Sequence, residues 1–157
     1  MKKKDILSIK IVFPLFFVFC FFVIKLTTFG VHLSDTNVYF YTAYQMIHGK
    51  ILYKDIFFTD FPLFPYISSL YFLITNGNIQ AFYLTPVIET IVGSFLIFYF
   101  SFSKTKSYLI ATLSQIIYLF SFIILSTTDH QTGVFIGSVF LTASFIFFDK
   151  NEIGDQQ

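Results

Sequence analysis

The stretch SDTNVYFYTAYQMIHGKILYKDIFFTDFPLFPY, residues 34–66, holds three of the nine acidic side chains of the chain: Asp35, Asp55 and Asp60. A positioned carboxylate can take a proton from an attacking hydroxyl, which is the work of a general base. Asp35 is the best placed of the three. It precedes TNVYFYTAYQMIHGK, whose apolar and aromatic positions recur at roughly helical spacing until Gly49 ends the pattern. Ser34 or Asp35 is expected to cap this helix by accepting its free N–H groups, and a carboxylate fixed there is also placed to accept a proton. The two roles are compatible. Asp55, in YKD, pairs with Lys54 or caps a turn and is assigned to the scaffold. Asp60 stands two residues before Pro62, as a helix cap or a surface acid in its simplest role.

Other groups are sparser. Glu89 lies inside a long apolar segment, where an ionisable side chain is costly and faces protein or water; it lines a cavity or is a protonated or paired structural residue. Thr128-Asp129, ahead of another apolar run, reads as a cap. His32 and His48 lack ligand spacing for zinc and are assigned to the membrane interface. Cys20 is the single cysteine, which excludes a disulfide framework and a Cys-based metal site.

The elements that carry these residues are those of a membrane protein. Of 157 residues, 55% are hydrophobic, 22% aromatic and only 12% charged, with a mean hydropathy of +0.73, outside the range of a soluble domain. A net charge of +1 gives no basic surface for displacing counterions from phosphates, so no nucleic-acid partner is expected. MKKKDILSIK places its charges before IVFPLFFVFCFFVI, and lysines flanking a first span stay in the cytoplasm. The competing reading, a secretory signal peptide, lacks an A-x-A-like cleavage site in KLTTFGVHLSD. Residues 6–29 are therefore read as span 1, with Lys25 snorkelling to the headgroups.

FPLFPYISSLYFLITNG offers only about 22 Å of helix against a hydrocarbon core of roughly 30 Å, with Pro62 and Pro65 at its start. It is expected to lie at the interface. AFYLTPVIETIVGSFLIFYFSF then runs inward as span 2, SKTKS with Lys104 and Lys106 is cytoplasmic as the positive-inside rule prefers, and SYLIATLSQIIYLFSFIILS returns as span 3. GVFIGSVFLTASFIFF is a short span 4, which implies tilt, mismatch or a continuation, and DKNEIGDQQ is a polar tail. The expected fold is all-α: a polytopic cell-membrane protein of about four spans with its N-terminus in the cytoplasm. It forms a single membrane domain over residues 1–157, with interfacial helices in a first outer loop over residues 30–80. No internal repeat is visible.

The pieces DTNVYFYTAYQMIHG, LYKDIFF and FPLFPY, in that order and spacing, resemble the first outer loop of the GT-C superfamily of membrane glycosyltransferases, which includes the protein O-mannosyltransferases and the aminoarabinose transferases of lipid A. The resemblance implies that Asp35 is the catalytic carboxylate and that Tyr39, Ala43 and Gly49 frame the first interfacial helix. Asp60 falls near the position of a second acid, although FFTDFPL has Phe58 and Thr59 and a single Pro where many relatives carry an acid–base pair and Pro-Pro or Gly-Pro. STTDHQTGVF resembles the second outer loop, which makes Asp129 the acid that meets Asp35 and lets His130 contact a phosphate or share a proton. Lys50 and Lys54 are then candidates for the phosphate of a polyprenyl-phosphate-linked sugar donor; contact with lipid headgroups is their ordinary role.

The implied activity is transfer of a sugar from that donor to an acceptor at the outer membrane face. No cofactor is required, and a divalent metal is compatible with the chemistry but not indicated by the residues. The resemblance covers the N-terminal portion of a larger module, so the chain is expected to be a fragment of a longer enzyme, a subunit completed by a partner chain supplying the missing spans, or a degenerate relative without activity. A small non-enzymatic four-span protein, such as a lipid-linked sugar carrier or an assembly subunit, is the alternative.

Overall fold

The computed structural model describes residues 3–28, 34–59, 62–128 and 134–154. Among these residues the protein is all-helical, as expected, with the order α1 (Lys3–Thr28), α2 (Asp35–Ile47), α3 (Leu63–Ile74), α4 (Ile79–Tyr83), α5 (Thr85–Thr105), α6 (Tyr108–Leu119), α7 (Phe122–Thr127) and α8 (Val134–Gly154). The one β-type contact described is an isolated bridge between Leu52 and Ile56.

α4 and α5 make the longest apolar element. The Asn78 side chain accepts the Ala81 N–H at 3.1 Å to start α4, and Leu84 joins it to α5, where Pro86 occupies the first turn and forfeits an N–H that has no helical partner there. The 27 residues Ile79–Thr105 are the one described helix long and apolar enough to cross a membrane; Val12–Thr28, Leu63–Ile74, Tyr108–Leu119 and Ile136–Phe148 are shorter apolar helices.

α5 packs against α6 and α8, and α1 against α6 and α5. Lys106, with φ of 55°, turns the chain between α5 and α6 so that they run antiparallel. Gln115 Nε2 donates to Ser94 Oγ at 3.3 Å, and a side-chain carbon on Gly93 would stand 2.9 Å from the Tyr118 hydroxyl. Gly93 thus permits the close approach of α6. α1 runs in the same sense as α6 and α7 and opposite to α5. Phe17 and Phe21 both meet Phe120 edge-on at 6.4 Å, and Lys25, further along α1, meets Leu125, further along α7. Val18, Phe21, Val87 and Leu119 form the buried core between these helices.

Three expectations are corrected here. Span 3 is not one helix: α6 ends at Leu119, and Ser121, with an extended backbone and its Oγ accepting the Ile124 N–H at 3.4 Å, caps a new helix, α7. The apolar run is continuous, but a serine that can accept a helix N–H offers the backbone an alternative to continuing. Lys25 does not snorkel. It is 2% exposed and donates to the Leu125 carbonyl at 2.5 Å, in the last turn of α7, where the helix lacks its own donors. The Ile124 carbonyl beside it accepts from the Thr128 hydroxyl. α8 also continues to Gly154, through residues expected to form a polar tail.

α2 and α3 form a second layer. Both end on Schellman turns. After α2, Gly49 has φ of 86°, with Gly49 N–H donating to Met46 and Lys50 N–H to Gln45 at 3.1 and 3.0 Å. After α3, Asn76 takes φ of 51°, with Asn76 N–H on Leu73 and Gly77 N–H on Phe72 at 3.1 and 2.9 Å. Pro62 and Pro65 sit at the cap and first turn of α3, as expected. α4 docks this layer onto the bundle: Phe82 is wholly buried and meets Phe40 of α2 edge-on at 5.2 Å. Truncation of such a buried ring costs about 3–5 kcal/mol, so Phe82→Ala is expected to lower the unfolding midpoint of the purified protein markedly, with Phe82→Leu in between.

Candidate functional site

The connection after α2 decides where the site forms. Asp55 closes a tight loop: its Oδ2 accepts the Ile51 N–H at 2.9 Å, while the Ile51 carbonyl accepts the N–H groups of Lys54 and Asp55 at 3.2 and 2.8 Å. Tyr53 holds φ of 65° and donates its N–H to Ile56 at 3.0 Å. Asp55 therefore belongs to the scaffold. The chain then returns along α2, so that Phe58 lies against Tyr39 with ring centroids 5.7 Å apart at 61°. α3 consequently starts beside the same end of α2, with Phe64 edge-on to Tyr39 at 4.5 Å.

This return encloses a cavity of about 440 Å³ lined by Asp35, Val38, Tyr39, Phe57, Phe58 and Thr59, within the range of about 300–1,000 Å³ usual for small-molecule sites. Asp35 is the first residue of α2 and is exposed. Its carboxylate has no hydrogen-bond or ion-pair partner among the described residues. Ser34 is the capping residue by backbone position, its carbonyl accepting the Asn37 N–H at 3.0 Å, yet its hydroxyl makes no cap bond and instead lies 3.4 Å from the Tyr83 hydroxyl. The side-chain cap expected of Ser34 or Asp35 is thus not made. An acid in the first turn is still favoured there by the helix dipole.

Of the other candidates, Lys50 and Lys54 are exposed and neither lines the cavity. Lys50 follows the far end of α2, a helix about 20 Å long. Asp60, Asp129 and His130 lie outside the described residues, as does His32. His48 is the C-cap of α2, its ring 4.1 Å from that of Tyr44. Among the described residues no three His, Cys, Asp or Glu side chains gather as a metal site. The aromatic walls Phe57 and Phe58 were not singled out from sequence as site residues; the adjacent FF pair before Thr59-Asp60 was their signal, visible only once the chain is known to double back.

Glu89 is 6% exposed on α5 and accepts a hydrogen bond from the Tyr71 hydroxyl of α3. It is a paired residue, and it joins the α2–α3 layer to the bundle. No protein-family model, curated protein or solved structure matches the chain.

Burial, and then the hydrogen bond and charge of Glu89, push the Tyr71 hydroxyl above the ordinary tyrosine range. The unfolded chain ionises this phenol near pH 10 while the folded chain keeps it protonated, so its contribution to stability is complete below about pH 10 and is lost as pH rises beyond it. Unfolding followed as a function of pH is expected to show an alkaline loss of stability that is shallower in Tyr71→Phe.

Proposed function

We propose that the chain acts in a membrane glycosyltransferase of the GT-C type, as the part that carries the catalytic base on the outer face of the cell membrane. The observation that supports this best is the position of Asp35. The acid at the head of the resembling motif is exposed, unpartnered among the described residues, and set on the wall of a cavity large enough for a sugar-sized ligand.

The helix directions favour the expected membrane arrangement. One extra crossing by α3 would make α1 and α5 run the same way, and they run oppositely, in line with α3 at the interface. α3 spans only about 18 Å as a helix, and its exposed residues Leu63, Tyr66, Leu70 and Leu73 recur on one face, as does the series Val38, Tyr41 and Tyr44 of α2. Tyrosines on such faces suit the headgroup region. α1 then runs outward from a cytoplasmic N-terminus, α5 inward, α6 with α7 outward and α8 inward, with α7 and α8 completed by neighbouring helices of the same or a partner chain.

In the proposed reaction Asp35 takes the proton of an acceptor hydroxyl as its oxygen attacks the anomeric carbon of the donor. The carbon–oxygen bond to the lipid phosphate breaks, and the phosphate leaves with the bonding electron pair. The cavity holds the acceptor, because no described lining residue is cationic. Donor phosphate is met elsewhere, with Lys50, Lys54 and His130 as the candidates from this chain. The catalysis is placement and proton transfer.

Asp35→Asn in the assembled enzyme is expected to reduce transfer from a polyprenyl-phosphate-linked sugar by about 10²–10⁴-fold, the range of general-base catalysis, with membrane insertion unchanged. Undiminished transfer would remove Asp35 from the mechanism. For the topology, Ser103→Cys in a Cys20→Ser background is expected to resist an impermeant thiol reagent in intact cells and to react once they are permeabilised; ready labelling of intact cells would put α3 across the bilayer.

A further inference from the structure

We propose that the cavity at Asp35 binds an organic ammonium group, of the kind carried by an amine-bearing acceptor or by the headgroup of a zwitterionic lipid. The proposal rests on the reading of this cavity as the ligand site and does not require the transfer reaction.

The charge of the walls is the first argument. Among the six described lining residues, Asp35 is the one charged group and the others are aromatic, Val38 and Thr59. An anionic group entering here meets a carboxylate with no described cation beside it, whereas a cation supplies the partner that Asp35 lacks. The dipole of α2 places about half a positive charge at this helix end, which offsets part of the carboxylate charge and leaves the site negative.

The rings give the second argument, and it separates an ammonium from a neutral hydroxyl. Tyr39 and Phe58 meet at 61° with centroids 5.7 Å apart, so they form a corner whose two ring planes face differently. Phe57, 92% exposed, supplies a third ring at the rim. Aromatic faces carry negative quadrupole potential and hold a cation within about 6 Å of the centroid. A carboxylate together with angled rings is the wall chemistry that recognises alkylated ammonium. Tyr39 is largely buried and fixed between Phe58 and Phe64, so the corner exists before any ligand arrives. Phe57 has little to hold it and is free to close over a bound group.

The test titrates choline chloride into the full-length chain, purified in a sugar-based detergent without ammonium groups, and follows the N-methyl proton signal by saturation transfer. Its neutral isostere, 3,3-dimethylbutan-1-ol, is measured in parallel. Choline is expected to bind at least about tenfold more tightly than the alcohol, and Asp35→Asn to remove most of that difference. Phe57→Leu is expected to weaken choline about two- to tenfold, in the range of one exposed to partly desolvated cation–ring contact. Asp35 and Phe57 are both exposed, so the variants fold. Equal binding of choline and the alcohol, no detectable choline binding, or choline binding indifferent to Asp35→Asn would each overturn the proposal.

Two bilayers separate the sources. Choline binding that is lost in phosphatidylcholine and kept in phosphatidylglycerol identifies the lipid headgroup as occupant; binding kept in both identifies a soluble or acceptor-borne amine. No sugar donor is present in any of these measurements. Choline binding that depends on Asp35, in a chain whose Asp35→Asn variant transfers sugar normally, would retain the ammonium site and remove Asp35 from the transfer mechanism.

Discussion

The α2–α3 layer of this protein depends on the ring of Tyr39. It stands edge-on to Phe64 at 4.5 Å and angled to Phe58 at 5.7 Å, and so ties three segments together: the start of α2, the returning connection and the start of α3. Edge-to-face contacts of this kind add about 0.5–1.5 kcal/mol each beyond the area they bury. Without them nothing described would oblige residues 57–59 to come back to the end of α2 that bears Asp35, and the cavity would have no far wall. The next residue, Phe40, repeats the device, meeting Phe72 at 5.1 Å and Phe82 at 5.2 Å. The first ring shapes the site and the second attaches it to the bundle.

Elements whose ends are set by local chemistry were legible in the sequence. Gly49, the Asn76-Gly77 pair and Pro62 with Pro65 act through backbone conformation over a few residues, and they end or begin helices where such residues do. The all-α class followed from composition and period. What was not legible depends on partners distant in the chain. Phe58 is an ordinary aromatic until it is placed against Tyr39, nineteen positions earlier. Lys25 reads as a snorkelling residue until Leu125, a hundred positions later, offers a carbonyl. The interruption at Ser121 is hidden because every neighbour is apolar, and a hydropathy pattern records burial and not hydrogen-bond geometry.

The same division applies to the site. Asp35 stood out because its motif is short and ordered, and the structure sets it, exposed, on the wall of the cavity. Asp55 was assigned to the scaffold on grounds of its YKD turn, and the Ile51 hydrogen bond is the corresponding interaction. Lys50 and Lys54 were grouped with Asp35 because they lie close in sequence, but α2 separates sequence neighbours along its length, and the loop after it turns both lysines to solvent. Glu89 carried no motif at all. Its meaning came from Tyr71, since a carboxylate in an apolar helix must find a donor or become neutral.

The break between α6 and α7 has a mechanical consequence. A continuous helix transmits a push along its axis, whereas a two-residue interruption lets the two halves pivot separately. Here the second half is held by the ammonium of Lys25, which is 2% exposed and donates to the Leu125 carbonyl. α7 is thereby tied to α1 as well as to the α6 segment that precedes it in the chain, and displacement of the first helix would be felt at the Leu125 carbonyl, in the last turn of α7.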